Sequence, residues 1–109
     1  MPGRAVGYVR VRIKGGVPLV DNRMVNLQTQ RIARECERRG WVLDELFVDR
    51  SGDSSGADEV LRGALDVVRQ GAHRALVVAV FDRFGRPDPD FIALSRLAAA
   101  EGWTLVVAR

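Results

Sequence analysis

The spacing of hydrophobic positions along the chain alternates between the period of a strand and the period of a helix. Four short apolar runs, rich in β-branched and aromatic residues, predict strands at 4–13, 41–48, 75–81 and 104–108. The run at 75–81 is apolar throughout, which is typical of a strand in a parallel sheet with both faces covered.

Between the predicted strands, apolar residues recur at helical spacing. The first helix is predicted to follow a loop at 14–24, to take Asn26 as its N-cap and to end at Arg39 before Gly40. Its apolar stripe is imperfect and consists of Leu27, Ile32, Ala33 and Cys36.

The other two predicted helices have clearer starting signals. Ser55 and Asp58 have the spacing of a capping box, and Gly71 ends the helix that they open. Asp88 and Pro89 fit an N-cap followed by proline at the first helical position. The apolar stripes of these helices are Val60, Leu61, Ala64, Leu65 and Val68, and then Phe91, Leu94, Leu97 and Ala98.

The order βαβαβαβ predicts an α/β fold, a three-layer sandwich with a mainly parallel four-stranded sheet and helices on both faces. Right-handed crossovers onto both faces place the first strand inside the sheet, in the order 2-1-3-4. In such sheets ligands bind beyond the carboxyl ends of the strands, where the strand order reverses, here between strands one and three.

Length and composition limit the class of protein. A chain of 109 residues is expected to form one domain, and no apolar run is long enough to span a membrane. The single cysteine, Cys36, is expected to be a core thiol in a cytoplasmic protein. His73 has no partner at ligand spacing, so no metal is expected, and no cofactor is predicted.

The basic residues are nearly all of one kind. The net charge is only +3, but 16 of the 17 basic residues are arginine. Guanidinium groups favour bidentate contact with phosphate, although codon bias explains such a composition equally well. Composition alone therefore leaves nucleic-acid binding open.

The positions of the arginines favour a site. Tyr8, Arg10 and Arg12 share one face near the carboxyl end of the first strand, and Arg83 and Arg86 follow the third strand. Because these strand ends are neighbours in the predicted sheet, the side chains are expected to converge. Four guanidinium groups repel one another unless a counter-charge is present.

Two interpretations of this arginine cluster remain open. Local carboxylates could balance the arginines, and the candidates are Asp49, Asp58 and Asp82. Alternatively an anion fills the cleft, and the DNA phosphate backbone suits so many guanidinium groups best. A free nucleotide is less suitable, because no glycine-rich phosphate-binding motif follows the first strand.

Several motifs resemble the resolvase/invertase family of serine recombinases, in the family's order along the chain. They are Tyr8-Val9-Arg10-Val11, Asn26-Leu27-Gln28-Thr29-Gln30, Asp49-Arg50-Ser51-Gly52 and Asp82-Arg83-Phe84-Gly85-Arg86. The last matches the family signature D-R-L-x-R and is the most specific. The resemblance implies a resolvase-like domain that cuts and rejoins DNA through a phosphoseryl bond.

The same resemblance assigns roles to residues. Arg10, Arg83 and Arg86 would hold the scissile phosphate, with Tyr8, Gln30 and Asp82 in support. The family's nucleophilic serine, however, falls at Arg12, and a further family arginine falls at Asp58. Arginine stays protonated and has no free lone pair with which to attack phosphorus.

We therefore expect a recombinase-like domain over residues 1–109 that binds the DNA backbone through Arg10, Arg12, Arg83 and Arg86 but has no catalytic nucleophile. Whether it is an enzyme stays open. One alternative is an active recombinase or nuclease that uses Tyr8, Ser51, Ser54 or Ser55, and another is a protein-interaction module.

The resemblance also carries expectations about partners. Relatives continue into a long dimerisation helix and a DNA-binding domain, which the 109 residues are expected to lack, whether as a fragment or as a short natural protein. A homodimer, or pairing with a related recombinase, is the expected assembly.

Overall fold

The computed structural model describes residues 3–10, 21–49, 54–70, 75–79 and 89–108. Their elements are β1 (Arg4–Arg10), α1 (Asp21–Arg39), β2 (Val42–Asp49), α2 (Ser54–Arg69), β3 (Ala75–Ala79), α3 (Pro89–Glu101) and β4 (Thr104–Ala108). Predictions for Val11, Arg12, Arg50, Ser51, Gly71, His73, Val80 to Asp88 and the loop residues 14–20 lie outside the described residues.

The strands form one parallel sheet in the order β2-β1-β3-β4, as predicted. Tyr8 of β1 is opposite Phe47 of β2 on one side and Val78 of β3 on the other. The carboxyl ends of these three strands therefore lie at the same edge of the sheet, which we call the carboxyl edge.

Helices cover both faces of the sheet, also as predicted. Successive residues of β1 point to opposite faces, so Ala5 and Val9 pack with Ile32 and Cys36 of α1, whereas Val6 packs with α2 and α3. The core beneath α2 and α3 includes Ala64, Leu65, Val68, Leu76, Val78 and Leu94. Strand alternation and helical stripes thus build two separate apolar layers.

A bulge near the start of β2 was not apparent in the sequence. Ala5 is paired with Leu43 and Val6 with Glu45, which leaves Asp44 as the extra residue between them. The Asp44 carboxylate lies 3.4 Å from the guanidinium of Arg4. Because the bulge shifts the alternation by one residue, Leu43 and the later Val48 both pack on the α1 side.

Two helices end at glycine, the first at Gly40 as predicted. Gly40 follows α1 with φ 70° and Gly102 follows α3 with φ 81°, in the left-handed region that favours glycine. After α1, the Trp41 and Gly40 amides donate to the carbonyls of Cys36 and Glu37 at 2.9 and 3.1 Å. This pair of bonds is the Schellman arrangement.

The predicted start of the first helix is wrong. The helix begins at Asp21 and not after Asn26, so the end of the predicted loop is helical. Val25 is buried among the residues beneath α1, and the helix is longer than predicted by nearly two turns, which include this extra packed apolar residue. Asn26 is exposed within the helix, and so are Leu27 and Ala33 of the predicted stripe.

Smaller corrections apply to two boundaries. The second strand begins at Val42, because the amide of Trp41 completes the end of α1, and it extends to Asp49, which pairs with Arg10. The second helix begins at Ser54, so Ser55 lies inside its first turn and is not the N-cap. Pro89 is the first residue of α3, as predicted.

Candidate functional site

The carboxyl edge brings the end of β1 next to the ends of β2 and β3. Arg10 is the last residue of β1 and is paired with Asp49, the last residue of β2. On the other side, the described part of β3 ends at Ala79, one position beyond the partner of Tyr8. Of the predicted phosphate-binding residues, Arg10 is thus at this edge, while Arg12, Arg83 and Arg86, with the supporting Asp82, lie outside the described residues.

A hydrogen bond joins two of the strands at this edge. The Tyr8 hydroxyl donates to Oδ2 of Asp49 over 3.1 Å, and the two residues are 41 positions apart in the chain. Tyr8 and Phe47 both pack in the layer beneath α2 and α3, and Asp49 lies two residues beyond Phe47 on the same face of β2. The bond therefore lies on the α2 side of the sheet.

Asp49 is the most deeply buried acidic residue that the structure describes, with 1% of its surface exposed. A carboxylate removed from water needs hydrogen-bond donors or positive charge nearby, because its desolvation is costly. Tyr8 supplies one donor. A buried negative charge at the position opposite Arg10 can offset positive charge collected at the carboxyl edge.

From the sequence, Asp49 is expected as one of three possible counter-charges and as the first residue of the motif Asp49-Arg50-Ser51-Gly52. Its position directly after Val48, at the end of an apolar strand, could have been used to place it at the carboxyl edge. Because parallel strands end at a shared edge, a carboxylate in that place belongs to the site as a neighbour of the arginines.

The two glutamines of α1 differ in burial. Gln30, the predicted supporting residue, is exposed, whereas Gln28 is 2% exposed. Gln28 precedes Ile32 by one turn, and Ile32 precedes Cys36 by one turn, so all three share the buried stripe. Counting back from Ile32 in steps of four would have identified Gln28 from the sequence.

Cys36 is a core residue, as expected, and the two tryptophans also pack against the core. Cys36 is buried beneath α1, and this burial raises the pKa of its thiol, which makes it a poor nucleophile. Trp41 packs on the α1 side of the sheet and Trp103 on the opposite side. The guanidinium of Arg39 stacks over the Trp41 ring at 5.1 Å from its centroid.

The described ranges contain neither a candidate metal centre nor a candidate membrane-spanning helix. No group of three or more His, Cys, Asp or Glu residues there could hold a metal ion. None of the helices described is both long and apolar enough to cross a membrane.

Comparison with known proteins then identifies a family. The sequence matches the family described as "Resolvase, N terminal domain" over residues 5–109, which is nearly its whole length. Neither the curated proteins nor the solved structures gave a match.

Proposed function

Because the chain belongs to the resolvase N-terminal domain family, whose members act in site-specific DNA recombination, we propose that it binds the DNA backbone without cutting it. The observation that carries this proposal is Arg12. It follows Tyr8-Val9-Arg10-Val11 at the position where the family pattern has the nucleophilic serine.

The chemistry of that position explains the expected loss of activity. In the family a serine hydroxyl attacks the phosphodiester, displaces the 3′ oxygen and forms a 5′-phosphoseryl bond to DNA. A guanidinium has five N–H donors and no free lone pair, so it can bind the phosphate but cannot form that bond. Substitution by arginine removes the nucleophile and adds one positive charge.

The described part of the carboxyl edge supports phosphate binding by Arg10. Arg10 ends β1 beside a buried carboxylate that Tyr8 holds in place. We propose that Arg12, Arg83 and Arg86 join Arg10 around one phosphate, with Asp82 and Gln30 in support. Asp49 would then limit the repulsion among the arginines when no DNA is bound.

Tyr8 is a poor substitute for the missing serine. Only 8% of the residue is exposed, and its hydroxyl is bonded to Asp49 within the protein. An attacking oxygen must reach the phosphorus at about 3 Å with an aligned orbital, which a buried and bonded phenol does not offer. This geometry disfavours an active enzyme that uses tyrosine.

The test of inactivity restores the missing residues. The double variant Arg12→Ser/Asp58→Arg is incubated with supercoiled DNA, and covalent protein–DNA adducts are trapped by denaturation. The matched control is Arg12→Ala/Asp58→Arg, which removes the same arginine without adding a hydroxyl. We expect no adduct from the wild-type chain or the control, and nicking with an adduct from the serine variant alone.

An adduct formed by the wild-type chain would contradict the proposal and establish an atypical nucleophile. Variants Ser51→Ala, Ser54→Ala and Ser55→Ala would then identify it.

DNA binding is tested separately. The salt dependence of a gel shift is compared for the wild-type chain, Arg83→Ala/Arg86→Ala and the control Arg62→Ala/Arg96→Ala, which removes two exposed arginines on α2 and α3. Each lost phosphate contact lowers the slope of log K against log salt by about 0.9. We expect a change of nearly 2 in the first variant only. If the wild-type chain binds no DNA at ~50 mM salt, the proposal of DNA binding is wrong and the alternative of a protein-interaction module is favoured.

The same proposal predicts that the chain forms a dimer. We expect the chain to pair with a second copy or with a related recombinase, and sedimentation of the chain alone and mixed with such a relative distinguishes the two.

A further inference from the structure

A stripe of arginines runs along the solvent side of α1, away from the carboxyl edge described above. Arg31, Arg34 and Arg38 are three and four residues apart, which places them within an arc of about 60° on the helix surface. We call these three residues the α1 stripe. Arg34 and Arg38 are exposed and Arg31 is partly exposed.

The acidic side chains that the structure describes on α1 do not balance the charges of Arg34 and Arg38. Glu35 accepts from Arg38 at 3.2 Å and from Arg39 at 2.9 Å, so one carboxylate is shared between two guanidinium groups. The Arg38 side chain remains 76% exposed in spite of this contact. No ion pair involves Arg34 within the part of the chain that the structure describes. Positive charge therefore remains on this side of α1.

The opposite face of the protein is different. The sequences of α2 and α3 contain three arginines and five acidic residues: Arg62, Arg69 and Arg96 against Asp58, Glu59, Asp66, Asp90 and Glu101. Arg69 lies 3.8 Å from Asp66 and 2.6 Å from Glu101, which leaves little of its charge uncompensated. The excess of positive charge is thus on the α1 layer.

The direction of α1 determines which end of the α1 stripe is nearer the carboxyl edge. Because α1 joins the carboxyl end of β1 to the amino end of β2, it runs antiparallel to the strands. Arg31 is accordingly the residue of the α1 stripe nearest the carboxyl edge, and Arg38 lies nearer the edge where the amino ends of the strands meet. The α1 stripe is about 10 Å long, the length of seven helical residues.

We propose that the α1 stripe is a second contact surface for the DNA phosphate backbone. This inference rests on the proposed DNA binding. At a rise of about 3.4 Å per phosphate on one strand, about 10 Å corresponds to three phosphates. A row of arginines along one helix face is the usual electrostatic pattern of such a surface. The contacts would go to phosphate groups and would be independent of base sequence.

The experiment compares variants with equal loss of charge. Arg34→Gln/Arg38→Gln removes two charges from the α1 stripe, and Arg62→Gln/Arg96→Gln removes two from the opposite face. Both are measured for DNA affinity from about 50 to 200 mM salt, with duplexes of two unrelated sequences. We expect the α1 variant to lower the salt slope by nearly 2 on both duplexes and the control to leave it within error.

The outcome is independent of the test of the carboxyl edge. If Arg83→Ala/Arg86→Ala lowers the slope and the α1 variant does not, the α1 inference is wrong while the proposed function stands. If only the α1 variant lowers it, the inference stands and the carboxyl edge loses its role. An α1 variant that changes the sedimentation coefficient of the chain without changing its DNA affinity would assign the α1 stripe to a protein interface and overturn the inference.

Discussion

The hydroxyl of Tyr8 on β1 and the carboxylate of Asp49 at the end of β2 are joined by a hydrogen bond of 3.1 Å. The bond links neighbouring parallel strands at the edge where the family's phosphate-binding arginines are expected. It keeps a buried negative charge beneath that edge, beside the backbone of Arg10. The arrangement of this edge therefore depends on a contact between residues far apart in the sequence.

Tyr8→Phe should destabilise the protein by about 1 to 3 kcal/mol, because a buried carboxylate loses a donor that water cannot replace. Urea unfolding of the wild type, Tyr8→Phe, Asp49→Asn and the double variant gives the coupling energy. A double variant as unstable as the sum of the two single variants would show that the bond contributes nothing.

Gly7→Ala should also be destabilising, for a steric reason. A methyl group at Gly7 would lie 2.7 Å from Cδ1 of Leu46 and 3.1 Å from Cγ2 of Ile32. Leu46 is 36% exposed and can move aside, whereas Ile32 is fully buried. We expect a loss of about 1 to 3 kcal/mol in urea unfolding.

A second substitution should restore part of the stability that Gly7→Ala loses. Adding Leu46→Ala removes the closer of these two contacts, so the double variant should be more stable than the two single losses predict. Strict additivity would mean that the strain is not located at Leu46.

Glu35 should make stability depend on pH. Its hydrogen bond from Arg39, with further help from the charge of Arg38, holds the pKa of the carboxyl below the ordinary value of 4.5. A lowered folded-state pKa stabilises the protein above the unfolded-state value, and this contribution disappears as the pH falls through the folded-state pKa. Glu35→Gln should therefore have a lower urea midpoint than the wild type at pH 7, and the difference between the two midpoints should be smaller at about pH 3, below the unfolded-state pKa.

The matched control for Glu35 is Glu37→Gln on the same helix. Glu37 is exposed and forms no ion pair in the described part of the chain, so its substitution should leave the difference between the two pH values as in the wild type. If the difference in urea midpoint between the wild type and Glu35→Gln were the same in acid as at pH 7, the ion pair could not be its source.

Cys36 should react with thiol reagents only when the protein opens. The thiol is buried and its pKa is raised chiefly by that burial, so both access and thiolate formation are suppressed. Because the chain has a single cysteine, labelling followed by mass spectrometry reads out one site. The labelling rate should rise across the urea transition in step with circular dichroism, and fast labelling without urea would indicate local opening of α1.

The order of the elements and the topology of the sheet follow from local patterns in the amino-acid sequence. Alternating strand and helix periods require a parallel sheet with crossovers on both faces, and handedness then leaves the order 2-1-3-4. Gly40 and Gly102 also mark the ends of α1 and α3, because the left-handed conformation that follows a helix favours glycine locally. These features follow from short-range rules that one stretch of chain satisfies alone.

Other features depend on contacts between segments that are distant in the sequence. The bulge at Asp44 shifts the alternation of β2, and packing of Val25 moves the start of α1 to Asp21 in spite of the capping signal at Asn26. Burial of Gln28 and the bond between Tyr8 and Asp49 likewise arise only when helix and strands are assembled. Local propensity is worth a few tenths of a kcal/mol per residue, and burial of one apolar side chain is worth about 1.5 to 3 kcal/mol, so packing overrides the local signal where the two disagree.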